Sequence, residues 1–113
     1  MMKRQITLVA VVLCLSLLAM SCSRQVEKEY YPNGKLKSVL NYKKGQLEGI
    51  ALYYYENGNL QERVNYRKGK RERTGTTYYE SGKLKEEITY ENGEPVLVKL
   101  FGENGDLLSE TRP

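Results

Sequence analysis

The sequence predicts an all-β fold, an antiparallel meander of about eight strands built from 24-residue β-hairpin repeats. Three observations predict it. The blocks YYPNGKLKSVLNYKKG, YYENGNLQERVNYRKG and YYESGKLKEEITYENG begin at Tyr30, Tyr54 and Tyr78, and a truncated copy, FGENGDLLSE, begins at Phe101. Self-similarity at a fixed period marks a repeat architecture. Within each block the apolar residues fall at offsets of one parity: Leu36, Leu40 and Tyr42, then Leu60, Val64 and Tyr66, then Leu84, Ile88 and Tyr90. A strand places such residues on one face, whereas a helix would swing the tyrosine away from the leucine. Finally, Asn33-Gly34, Asn57-Gly58, Ser81-Gly82 and Asn104-Gly105 precede the strands, and such pairs accept the positive φ angles of type I′ hairpin turns.

The elements follow in chain order. Residues 1–21 read as an export signal: Lys3 and Arg4, then the apolar run ITLVAVVLCLSLLAM, then Ser21 and Cys22. Residues 22–29 are expected to be a short linker and residues 30–113 the repeat domain. The first strand of each hairpin leaves the Asn-Gly or Ser-Gly turn and ends at Gly45, Gly69 or Gly93. The return strands are LEGIALYYY, RERTGTTYY and PVLVKLF, rich in β-branched and aromatic residues. Eight strands about 4.8 Å apart make a sheet about 35 Å across. The third hairpin, with Pro95, is one residue short of the register set by the first two.

The leader also corrects the charge. The precursor carries 18 Lys and Arg against 14 acids, a net +4; without Lys3 and Arg4 the mature chain falls to +2. That balance gives no nucleic-acid footprint, which needs basic residues gathered on one face. Of two cysteines, Cys14 leaves with the leader, so no intramolecular disulfide is available to the mature chain. The run Leu18-Ala19-Met20-Ser21-Cys22 resembles the lipobox of bacterial lipoproteins, although Ala19 stands where that pattern prefers Leu. The resemblance implies acylation of Cys22 and anchoring in the cell envelope; with Ser23 rather than aspartate following, it implies the outer membrane of a Gram-negative cell. An uncleaved anchor and a soluble secreted chain remain the other two readings of this segment.

Tyr-Tyr-x-Asn-Gly-x-Leu, followed by an aliphatic residue two positions before Tyr and then by Lys-Gly, resembles the MORN-repeat variant found in bacterial YwqK-type antitoxins. The resemblance covers residues 30–110. It implies a β-repeat scaffold and a protein partner, a toxin that the chain would neutralise; fold likeness alone does not establish that role.

Chemistry-bearing residues are few. There is no histidine, and Asp106 is the sole aspartate, so the common Cys/His metal sites are excluded by composition. No cofactor is expected. Glu62 and Glu86 occupy equivalent places on the apolar face and have the chemistry of an acid and a base, but cross-strand pairing with Lys or Arg explains them more simply. Ser38 at the equivalent place breaks the series, and the chain is read as no enzyme. The run RKGKRER gathers Arg67, Lys68, Lys70, Arg71 and Arg73 around one turn. It suits an acidic partner or lipid head group, or else is a solvated hairpin end that discourages edge pairing. Ten tyrosines outweigh one Phe and no Trp, a composition that suits interfaces as well as packing between hairpins. Tyr53, replaced by Thr77 in the next copy, is the candidate that the repeat itself does not require; Arg73, where the preceding copy has Gly49, is the second. The expected function is a membrane-tethered, non-catalytic protein-binding module of antitoxin or immunity type. The alternative is a structural or anionic-lipid-binding envelope module, and dimerisation through the apolar faces is open to either.

Overall fold

The structure, a computed structural model, describes residues 23–113; the leader and Cys22 lie outside the described residues. Ten antiparallel strands form one sheet: β1 (Arg24–Tyr30), β2 (Leu36–Lys43), β3 (Gln46–Leu47), β4 (Gly49–Tyr54), β5 (Leu60–Arg67), β6 (Lys70–Arg71), β7 (Arg73–Tyr78), β8 (Leu84–Glu91), β9 (Glu94–Phe101) and β10 (Leu107–Thr111). The order across the sheet is β1-β2-β4-β5-β7-β8-β9-β10, with the two-residue β3 and β6 beside β2 and β5. Each neighbour is therefore the next long strand in sequence. The all-β meander expected from the periodicity is what forms.

Two expectations need correcting. Residues 22–29, read as a linker, supply β1, which pairs with β2 from Arg24↔Lys43 to Glu29↔Ser38. The two families of turns also differ in kind from what the Asn-Gly pairs suggest. At Lys44-Gly45 both residues have positive φ, 51° and 75°, as do Lys68-Gly69 and Asn92-Gly93. Type I′ geometry thus sits at these two-residue turns. At Asn33-Gly34 only the glycine is left-handed. There the Gly34 N–H donates to the Tyr31 carbonyl at 2.9 Å, and the Asn33 side-chain oxygen accepts from the Lys35 N–H at 2.9 Å. That is the hydrogen-bond pattern of a type I turn followed by a glycine bulge. The register shift at Glu29/Tyr30 is a second bulge, in which Lys37 is the extra residue between Leu36 and Ser38.

Between β2 and its partner the pairing runs Tyr42↔Leu47 and then Val39↔Leu52, so the β3–β4 strand carries two extra residues. The break falls at Gly49, φ 98°. The Asn41 amide fills it by donating to the Ile50 carbonyl at 2.7 Å. The next copy repeats the device with Asn65 and Thr74 at 2.8 Å, and Arg73, φ 57°, stands where Gly49 stood. In the third copy the shift between Tyr90↔Pro95 and Thr89↔Leu97 is one residue, the deficit already visible in the sequence.

Packing between repeats rests on a ladder. The hydroxyls of Tyr31, Tyr55 and Tyr79 donate to the backbone carbonyls of Tyr54, Tyr78 and Phe101 at 2.5, 2.6 and 2.7 Å. Each tyrosine thus clamps the start of the next repeat, as stacked repeats must do to share a core. Among the described residues only Ser38, Ala51, Val64, Gly75 and Tyr90 are buried, as expected of a single-layer sheet.

Candidate interaction face

Paired residues in an antiparallel ladder share a face, so the registers lay out both surfaces. One row runs Glu29, Ser38, Tyr53, Glu62, Thr77, Glu86, Leu100 and Ser109. Beside it lie Ala51 paired with Val64 and Gly75 paired with Ile88. The next row pairs Tyr42 with Leu47, Tyr66 with Gly49 and Arg71, and Tyr90 with Arg73 and Pro95. Tyr53, Glu62, Tyr66, Arg71 and Tyr90 therefore belong to one face.

The five candidates of the basic run separate. Arg71 turns onto the tyrosine face: its guanidinium donates to the Tyr90 hydroxyl at 2.9 Å, stacks 5.6 Å from the centre of that ring, and lies 3.5 Å from a Glu62 carboxylate oxygen. Burial alone would lower its pKa, but the phenol oxygens of Tyr90 and Tyr66 outweigh that and raise it, so Arg71 stays charged. The Glu62 contact is the cross-strand pairing that the non-catalytic reading of the acids expected. Arg67 and Lys70 flank the Lys68-Gly69 turn and, with Lys68, remain exposed. This hairpin end is docked rather than loose: the Lys68 N–H donates to the Glu48 carboxylate at 2.7 Å and the Gly69 N–H to the Leu47 carbonyl at 2.9 Å. A cleft of about 370 Å³ opens between it and Asn92-Gly93 of the next copy. Arg73 projects outward, its side chain 82% exposed, with Nε 3.8 Å from the Glu72 carboxylate.

Tyr53 sits half-buried in the middle of the face. Burial raises its pKa first, the neighbouring Tyr66 and Glu62 raise it further, and Arg71 opposes them. Its phenol is accordingly neutral across the physiological range and free to donate. The sequence singled out Tyr53 and Arg71 but gave no reason to join them, and it missed Tyr90 and Glu62 as their companions. The joining signal was available in the turn: with a two-residue loop at Lys68-Gly69, Arg71 must stand opposite Tyr66.

No group of acids, cysteines and histidines able to hold a metal occurs among the described residues, and no described helix is long and apolar enough to cross a membrane. A single-layer sheet of clamped hairpins, with aromatic and charged side chains on an open face, defines the class of β-hairpin repeat modules. The chain belongs to the MORN repeat variant family, whose model matches residues 26–44, 47–68 and 74–92. Each match is a hairpin closed by an Asn-Gly or Ser-Gly turn, and the β9–β10 hairpin lies outside them. Neither the curated proteins nor the solved structures gave a significant match.

Proposed function

We propose that this chain is a membrane-tethered module that captures a protein partner on the face built around Tyr53, Arg71 and Tyr90, in the manner of an antitoxin or immunity protein. The observation that carries the reading is the cluster itself. An arginine held by one tyrosine ring and one carboxylate, beside a second desolvated tyrosine, is the residue chemistry at which binding energy concentrates. Arg67, Lys68 and Lys70 border this face at the hairpin end and would steer an acidic partner toward it. The tether is Cys22, acylated after removal of residues 1–21 and followed almost at once by β1. Several acyl chains on one cysteine hold a domain stably where a single chain does not.

Capture of a partner from envelope extracts tests the reading. The wild-type chain should retain one protein, and Tyr53→Ala should release it while leaving the β-sheet circular dichroism unchanged. Retention undiminished in Tyr53→Ala and in Arg71→Gln refutes the assignment of the face. Salt-sensitive binding to anionic vesicles that persists in both variants would instead assign the basic hairpin end to lipid. Mass spectrometry of the mature N-terminus tests the tether separately, since an unmodified Cys22 would remove it.

A further inference from the structure

We propose that copies of this chain associate edge to edge, with β10 of one copy pairing antiparallel with β1 of the next, so that the sheet continues across the junction. Among the described residues these two strands are the edges of the sheet, and an edge presents a row of unpaired backbone donors and acceptors. Of the five exposed large hydrophobic residues among those described, four lie on these two strands: Val26 and Tyr30 on β1, Leu107 and Leu108 on β10.

The occupant follows from the alternation of the strands. Those leading into an Asn-Gly or Ser-Gly turn are β1, β4, β7 and β9; those leaving one are β2, β5, β8 and β10. Every junction between hairpins sets a leaving strand beside a leading one, and β10 against β1 of a second copy does the same. The register can be carried over. Internal junctions pair Ser38↔Tyr53 with Val39↔Leu52, Glu62↔Thr77 with Arg63↔Thr76, and Glu86↔Leu100 with Glu87↔Lys99. The equivalent residues are Ser109 and Glu110 on β10, opposite Leu100 and Lys99, and Glu29 and Lys28 on β1, opposite Ser38 and Val39. Glu110 therefore faces Lys28 of the next copy, extending the alternation Glu87, Lys99, Glu110 already present in that row. Opposite charges directly across a ladder stabilise it.

Pairing of β1 with itself lacks this complementarity. Antiparallel registers that keep each face continuous bring Glu27 onto Glu27, or Lys28 onto Lys28 with Glu27 onto Glu29, or Arg24 onto Lys28. One internal feature is missing at the proposed junction: Gly102 stands where Tyr31, Tyr55 and Tyr79 supply a clamping hydroxyl. The junction is consequently weaker than those within the chain, and association depends on concentration. Because the two edges differ, the contact is head-to-tail and leaves both ends of any assembly open. This inference does not depend on the identity of a captured partner.

Cysteine cross-linking of the full chain in its native membrane tests it. Directly opposed residues place their β-carbons about 4.5–5.5 Å apart, so Lys28→Cys and Glu110→Cys carried on separately tagged chains should form a mixed dimer under mild oxidant. The Lys28→Cys/Glu110→Cys double variant should give stepped bands at multiples of the chain mass. The wild-type chain, without either introduced cysteine, sets the background. Either single variant alone should stay at that background. A dimer of Lys28→Cys with itself, a dimer of Glu110→Cys with itself, or no cross-link above background in the mixed pair each overturns the proposal. Both side chains stand at exposed edge positions, and an unchanged β-sheet spectrum excludes misfolding as the cause of a negative result.

Discussion

Replacing Arg73 by glycine should make the domain more stable, not less. Arg73 holds φ at 57°, a left-handed conformation that costs a residue with a β-carbon about 1–2 kcal/mol. Glycine adopts it without that cost, but loses more freedom on folding, by about 0.5–1 kcal/mol. The contact given up is a 3.8 Å pair to Glu72 with the arginine side chain 82% exposed, too solvated to count in the balance. The preceding copy shows that the geometry closes with glycine, since Gly49 occupies the same bulge at φ 98°. The net gain is roughly 0.5–1 kcal/mol, and a domain of this size shifts its melting temperature by about 4–8 °C per kcal/mol. A rise of about 2–8 °C is therefore expected in a thermal melt of the soluble chain from Ser23, followed by β-sheet circular dichroism. A fall in melting temperature would refute the reasoning and show that the Arg73 side chain holds the bulge together. A rise accompanied by weaker partner capture would show that arginine is kept there against stability.

Three further outcomes follow from the same structure. Tyr55→Phe removes the hydroxyl that donates to the Tyr78 carbonyl at 2.6 Å and should cost about 1 kcal/mol, measured by urea denaturation; an unchanged midpoint would mean that the ladder does not couple the repeats. Tyr90→Ala removes a buried ring and the hydroxyl and π-face that hold Arg71, so a loss of about 3 kcal/mol or more is expected, well beyond that of Tyr53→Ala in parallel melts. The Tyr53 phenol titrates above its ordinary value of 10.0. Its raised folded pKa contributes stability below the unfolded pKa that is lost as pH rises through the folded one. Phenolate absorbance of Tyr53→Phe should accordingly lack a component whose midpoint in the wild type lies above pH 10.0, and loss of a component with its midpoint at or below that pH would count against the burial of Tyr53.

The strand pattern was legible because the apolar residues of each block fall at one parity, and the meander followed from turns too short for a crossover. The shared face was misread at Leu36, Leu60 and Leu84, which pair with Tyr30, Tyr54 and Tyr78 before a one-residue register shift and so lie on the opposite face from Leu40, Val64 and Ile88. β1 was not legible. In RQVEKEY the apolar residues are Val26 and Tyr30, the rest is polar, and every residue is exposed in the structure; its pairing with β2, not its own composition, makes it a strand. The turn types were misassigned because Asn33 uses its side chain to accept the Lys35 N–H, leaving the left-handed conformation to glycine alone. The second tyrosines were visible as a 24-residue series, but their role needs the next repeat's backbone in place, which no local pattern supplies.

What distinguishes the candidate face is that non-repeating residues build it on repeating ones. Arg71 replaces Leu47, Arg73 replaces Gly49 and Gly75 replaces Ala51 when the first copy is compared with the second. The last change matters most for geometry: a β-carbon at Gly75 would lie 3.4 Å from the Tyr90 ring and 3.4 Å from the Arg63 carbonyl. Glycine therefore lets the Tyr90 ring settle closely on the sheet, where it is 8% exposed and positioned to meet Arg71. In the first copy the same ladder positions hold Leu47, Ala51 and Tyr66, an apolar arrangement with no guanidinium to receive. Positions common to the copies, such as Tyr31, Tyr55 and Tyr79, serve the clamp that any stacked hairpin needs. The departures gather at the junction of the second and third copies, as expected if the scaffold is general and recognition is confined to one place on it.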